Sequence, residues 1–246
     1  MRRTSWVSLL LAAVLLLLWE WAVHRWQVST LVLPAPSVVA LALHQGVVTG
    51  YLWPHVVQTL FEVMAGFLLG GLLGFVGGLA LGEWTALRRV LMPYLVVSQV
   101  VPKLALAPLM IVWLGFGAWP TVVITALICF FPLLENTLTA LQQTDAQRLE
   151  LFRMLRASRW QILWRLKVRA GMPAILSGLR VAMVLAWVGA VVGEFIGASR
   201  GLGALIIAAQ GSMDTPLMFA VLGIITVLGW ISYQAVVWAE RGWWKH

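Results

Sequence analysis

Residues 60–81 form an almost wholly apolar run, and comparable runs recur at 6–23, 90–112, 119–134, 174–196 and 217–237. A helix needs roughly 20 apolar residues to cross the hydrocarbon core of a bilayer. This recurrence therefore points to an all-α membrane protein of about six transmembrane helices, with residues 1–246 as a single transmembrane domain. Composition closes off the soluble alternative. The chain has 246 residues, 61% of them hydrophobic and only 11% charged, with a mean hydropathy of +0.92. Too little polar surface is left to face water. The one cysteine, Cys129, lies inside an apolar run, which excludes an intrachain disulfide and reads as packing.

The first run follows Arg2 and Arg3 and is succeeded by Trp19, Glu20 and Trp21 instead of a small-x-small cleavage site, so it reads as a retained span. A mixed stretch, 24–55, contains Pro34, Pro36 and Pro54. Within it, 38–48 is weakly amphipathic and suits the membrane surface. The second run carries Gly70-x-x-x-Gly74 and Gly74-x-x-x-Gly78, a stripe of small residues that lets helices approach closely. The third contains Pro93, Pro102 and Pro108 and is expected to be kinked or broken.

Charge sets the orientation. The net charge is +8, from 17 basic and 9 acidic residues. With the amino terminus inside, all the basic residues fall on the inner side except Arg25, Arg200 and Lys103, the last of which lies within the third run. Retention of basic loops in the cytoplasm then predicts that both termini are cytoplasmic. The tail from Glu240 onward, with Trp243, Trp244 and Lys245, suits the membrane–water interface.

A long polar loop, 135–173, falls on the same side. Thr144 with Gln147, and Ser158 with Gln161, have the spacing of capping boxes, predicting two short helices that meet near Arg156 and Ala157. Leu149, Phe152 and Leu155, then Trp160, Ile162, Leu163 and Trp164, give them apolar faces with arginines between. Such faces outside a bilayer need a partner surface. Basic residues interleaved with tryptophan also suit nucleic acid, but tethering between two spans argues against it.

The run Glu150-x-Phe152-Arg153-x-Leu155-Arg156-Ala157-Ser158 resembles the EAA loop of bacterial ABC importer permeases, usually E-x-A-R-x-L-G-A-S followed by W-x-I. The likeness continues through Trp160, Ile162, Pro173, Gly178-Leu-Arg180, Trp187, Glu194 and Gly201-Leu-Gly203. Upstream it takes in Pro102-Lys103 to Pro108 and Trp113 to Gly117. It covers nearly the whole chain after Pro34 and is nearest to the nitrate, sulfonate, taurine and bicarbonate type, which includes vitamin-precursor permeases. Arg156 stands where the family has glycine, Phe152 where it has a small residue, Arg169 where it has proline, and Tyr233 where an acid is common.

The resemblance implies a binding-protein-dependent ABC importer permease fold in the bacterial inner membrane. The loop at about 140–173 would be a two-helix coupling element docking in an ATPase groove. Glu150 and Arg153 would fix its orientation, Leu155 and Trp160 would give apolar contacts, and Phe152, Arg156, Ala157 and Ser158 would complete it. It further implies a homodimer, two ATP-binding cassette subunits, and a periplasmic or lipoprotein solute-binding protein. The solute would be small: sulfonate, taurine, nitrate, bicarbonate or a vitamin precursor.

The residues agree on who supplies the energy. There is no G-x-x-x-x-G-K-[ST] phosphate loop and no Gly-Lys dipeptide, so ATP and Mg belong to a partner and no cofactor is expected on this chain. There is no H-E-x-x-H, and His24, His44, His55 and His246 are scattered, giving neither a metal set nor a catalytic constellation. A six-helix secondary carrier without an ATPase is the alternative; it would be marked by paired broken helices in repeated halves. Two intramembrane charges are candidates for the translocation path. Lys103 would favour an anion or else snorkel or pair with an acid. Glu194 would line a gate or act structurally.

Overall fold

The computed structural model describes residues 2–243. Among them are eleven α-helices, a 3₁₀ turn and a π-helical turn, and no strand. The helices are α1 (Arg2–Arg25), α2 (Pro36–Val48), α3 (Trp53–Glu83), α4 (Thr85–Val100), α5 (Ala107–Leu114), α6 (Ala118–Gln142), α7 (Ala146–Met154), α8 (Arg159–Gln161), α9 (Val168–Gly197), α10 (Leu202–Gly211) and α11 (Thr215–Trp243). Three of the expected spans are α3, α6 and α11, and the fifth belongs to a continuous rod, Arg159–Gly197, in which α8 and α9 are joined through the π-helical turn Ile162–Lys167. The first expected span is α1, 24 residues long.

The third expected span is broken, as its prolines suggested, but at one of them only. Pro93 sits inside α4, and Pro108 occupies the first turn of α5, where its missing N–H is not needed. The break falls at Val101 and Pro102, because a residue before proline is pushed out of the helical region. The 3₁₀ turn Lys103–Leu106 follows, and the two halves are bent by 82°.

Other boundaries differ from expectation. The second span begins at Trp53, not near residue 60, since Pro54 is in the helix's first turn. The fourth runs on to Gln142, with Thr137 fully buried among helices instead of ending the span. The fifth does not begin after Pro173; the helix passes through that residue. The short helix α10 was not expected.

Two close layers hold the bundle. The glycine stripe of α3 lies against α6: a Cβ at Gly70 or Gly74 would strike the carbonyl oxygen of Ala126 or Phe130, and one at Gly78 would meet the Leu134 carbonyl oxygen at 2.7 Å. Between α3, α6 and α9, Val63, Phe67, Cys129, Ala182, Ala186 and Trp187 form the innermost apolar cluster, and the Cys129 thiol donates to the Ala182 carbonyl. Leu52, Leu202, Leu205 and Val221 close the end of the bundle away from α7.

Gly70→Ala is expected to destabilise the fold by about 1–3 kcal/mol, the usual penalty for overpacking a core. Gly71→Ala should be tolerated, because its new methyl would meet only Leu133 Cδ2 at 3.7 Å. Thermal unfolding of the two purified variants checks the contrast.

Candidate functional site

The loop after α6 is a knuckle of two short helices, each capped at its start. Thr144, expected to cap the next helix, instead donates its hydroxyl to the Leu141 carbonyl at the end of α6. Asp145 takes over as the cap of α7, its Oδ1 accepting from Gln147 N at 2.9 Å. A carboxylate there also suits the positive end of the helix dipole. The second expected capping box is present in full: Gln161 N donates to Ser158 Oγ, and Ser158 N donates to Gln161 Oε1.

Between the two caps, Arg156 adopts φ +51°. Arg156 N donates to the Arg153 carbonyl and Ala157 N to the Phe152 carbonyl, at 2.9 and 3.0 Å. This is the Schellman pattern, which ordinarily places glycine at the left-handed residue. The position where the resemblance expects glycine is thus the one where the backbone requires positive φ. Arginine holds the same turn at a conformational cost of about 1–2 kcal/mol.

The side chains of the knuckle divide by face. Leu149 and Phe152 are half-buried, one helical turn apart, and α7 packs by way of the π-helical turn against its own chain. Glu150, Arg153 and Arg156 are exposed, as are Leu155 and Trp160, each 70% accessible. Leu151 and Met154 are also exposed and join this apolar patch, a contribution that the motif did not signal. Ala157 is half-buried and Ser158 exposed. Phe152 therefore leans inward, while Leu155, grouped with it by spacing, points out. Trp160 also lines a hollow of about 360 Å³ with Leu79, Trp84, Leu163 and Trp164, beside the Lys167–Glu83 ion pair of 2.5 Å.

The two intramembrane candidates are not equivalent. Lys103 is half-exposed in the break between α4 and α5 and has no ion-pair partner among the described residues. Glu194 is 1% exposed. Its Oε1 accepts from Thr59 Oγ1 at 2.6 Å and its Oε2 from Gly203 N at 2.5 Å. Thr59 Oγ1 also accepts from Leu202 N at 2.7 Å, and His55 Nδ1 lies 2.9 Å from the Gly201 carbonyl oxygen. Sequence reasoning missed Glu62, fully buried on α3 beside this cluster. The signal was available: an acid inside an apolar span, one turn from Thr59 and on the same face as Gly66.

This arrangement, a helical bundle with one broken span and a capped two-helix knuckle at one end, has known counterparts. Residues 66–245 match the family described as binding-protein-dependent transport system inner membrane component. A riboflavin transport system permease protein of Chloroflexus aurantiacus is 35% identical, over 98% of this chain and 91% of that protein. A putative aliphatic sulfonates transport permease protein of Bacillus subtilis is 33% identical, over 98% and 87%. Among solved structures, a chain of the MetNI methionine ABC transporter, crystallised in inward-facing conformations, superposes with a TM-score of 0.62 at 19% identity. It covers 74% of this chain and 93% of that one, and it shows the shared fold.

The chain belongs to the family of binding-protein-dependent inner-membrane transport components, and it is a multi-pass permease subunit of an ABC importer, not an enzyme. That membership sets aside the secondary-carrier alternative and implies partnership with an ATPase and a solute-binding protein.

Arg156→Gly relieves the left-handed strain at some cost in chain entropy. It is expected to tighten the knuckle by about 0.5–1 kcal/mol, slowing hydrogen exchange at the amides of Arg156 and Ala157 by roughly 2- to 5-fold. Exchange measured by mass spectrometry on the intact protein checks this.

Proposed function

We propose that two copies of this chain form the translocation path for a small solute across the bacterial inner membrane, each docked on one of two ATP-binding cassette subunits through its knuckle. ATP and Mg are used by those subunits. A periplasmic or lipoprotein binding protein delivers the solute, and both termini lie in the cytoplasm. The observation that carries the reading is the knuckle itself. It is a capped, hydrogen-bonded turn that presents Leu151, Met154, Leu155 and Trp160 to solvent among Arg148, Arg153, Arg156 and Arg159. Exposed apolar patches rimmed by charge mark interaction sites. The second copy is supported by α4, none of whose residues is buried within the chain.

The solute is of the sulfonate, taurine, nitrate or bicarbonate kind, or a vitamin precursor. Lys103 favours an anion, since it stands as a half-exposed cation at a break in an apolar span.

Glu150 orients the knuckle, and Trp160 supplies contact. Glu150 is exposed on α7, so Glu150→Ala should change fold stability by no more than about 0.5 kcal/mol. The variant should assemble with its ATPase yet lose binding-protein-stimulated ATP hydrolysis and uptake together. Trp160→Ala should instead lower recovery of the complex. Full uptake by Glu150→Ala at normal expression would defeat the assignment.

Orientation has its own test. The only native cysteine, Cys129, is buried and gives little background. A cysteine at Gln147 or Ser158, both exposed, should resist an impermeant thiol reagent in intact cells and react once the inner membrane is opened.

A further inference from the structure

At the end of the bundle away from the knuckle, two carboxyl groups meet without a cation. Glu62 and Glu194 are 0% and 1% exposed. Glu62 sits one helical turn from Thr59, whose hydroxyl donates to Glu194. Glu62 Oε1 accepts from Gln58 Nε2 at 2.6 Å, while Glu62 Oε2, equally enclosed, receives no donor from the chain. Both oxygens of Glu194 are already met by donors, Thr59 Oγ1 and Gly203 N.

The surroundings offer no compensating positive charge. On α3 the nearest titratable group is His55, committed to Gly201; α10 has no charged residue, and Arg200, in the turn before it, is exposed. The ion pairs among the described residues involve neither acid, and no group of three metal-ligating side chains is present among them. Two bare carboxylates buried side by side would repel each other and lack solvation, a situation proteins avoid. An ionised carboxyl only accepts hydrogen bonds, so a bond between two carboxyls needs a proton on one of them.

We propose that Glu62 and Glu194 bind one proton between them, and that this acid–carboxylate pair locks the α9–α10 turn onto α3. The donor pattern assigns the partners. Glu194, met by Thr59 and by an amide in the first turn of α10, is the carboxylate, and the helix dipole favours its charge. Glu62, with one orphaned oxygen, is the acid and donates from Oε2. The turn is cut to fit. Gly201 has φ +135°, and a Cβ there would run into the Glu194 carboxyl, while one at Gly203 would sit 2.9 Å from Glu194 Oε2. Gly201-Leu202-Gly203 is thus a backbone cradle for a carboxylate whose second acid comes from α3.

Infrared spectroscopy of the purified full-length protein in its transporter complex tests this. At neutral pH the wild type should show the carbonyl stretch of a protonated carboxylic acid, and Glu62→Gln should remove that band. Glu62→Gln should also keep the thermal stability of the complex, because its carboxamide N–H donates where the acid O–H did, whereas Glu62→Leu should lower it. If Glu62→Gln does not assemble, Glu194→Gln serves instead: Glu62 keeps its proton there, and its band should persist at a shifted frequency because the carboxylate acceptor has gone. Absence of an acid band from the wild type would overturn the proposal, whether from two ionised acids or from a bound cation. So would a band that survives in Glu62→Gln, a band left unshifted by Glu194→Gln, or a Glu62→Gln variant as unstable as Glu62→Leu.

Discussion

The bundle depends on how close other helices come to α6. Helices in lipid gain nothing from hiding apolar surface from one another, so they associate through dense contact between small residues. Here α6 receives glycines from both sides. Gly66, Gly70, Gly74 and Gly78 of α3 face it on one flank, and Gly171, Gly178, Gly189 and Gly193 of α9 face Ala140, Asn136, Thr125 and Thr121 on the other. It is accordingly the most enclosed of the four long apolar helices, with 61% of its apolar window buried. Helices α4, α5 and α11 then arrange themselves around a layer already fixed.

Backbone polarity governs the places where regular helix stops. A non-helical segment at membrane depth needs its N–H and C=O groups satisfied from within the protein. The break after Val100 meets this through a single 3₁₀ turn, in which Ala105 N donates to the Pro102 carbonyl. The turn between α9 and α10 meets it with side chains: the Leu202 and Gly203 amides are taken by Thr59 and Glu194. Outside the bundle, the knuckle uses its own backbone, and Arg156 accepts a strained conformation so that two carbonyls are bonded.

Much of this was legible from residue pattern. The long apolar runs gave the spans, the glycine spacing gave the packed face, and Ser158 with Gln161 marked a cap that forms in full. Other features were hidden because the sequence does not say which of two neighbours wins a contact. Asp145 displaced Thr144 as a cap because the Thr144 hydroxyl was already used on α6. Pro54 and Pro173 read as boundaries, yet one fits a helix's first turn and the other lies within α9. The partnership of Glu62 with Glu194 joins residues far apart in the chain, and only the packing of α3 on α9 makes it visible. For Phe152 and Leu155, helical spacing put them on one face, whereas the chain turns out of the helix between them at Leu155.

The unbroken run from Arg159 to Gly197 has a mechanical meaning. At 1.5 Å per residue its 39 residues measure roughly 58 Å, nearly twice the thickness of a bilayer's hydrocarbon core. Its first residue follows directly on the capped Ser158, and Glu194 sits three residues before its end. Such a rod is a lever with one arm in the aqueous phase and the other in the membrane. Pivoted between its two arms, a tilt of about 5° displaces each tip sideways by roughly 2.5 Å. One continuous helix thus joins Ser158, at the aqueous knuckle, to Glu194 at the opposite side of the bundle with no hinge between them.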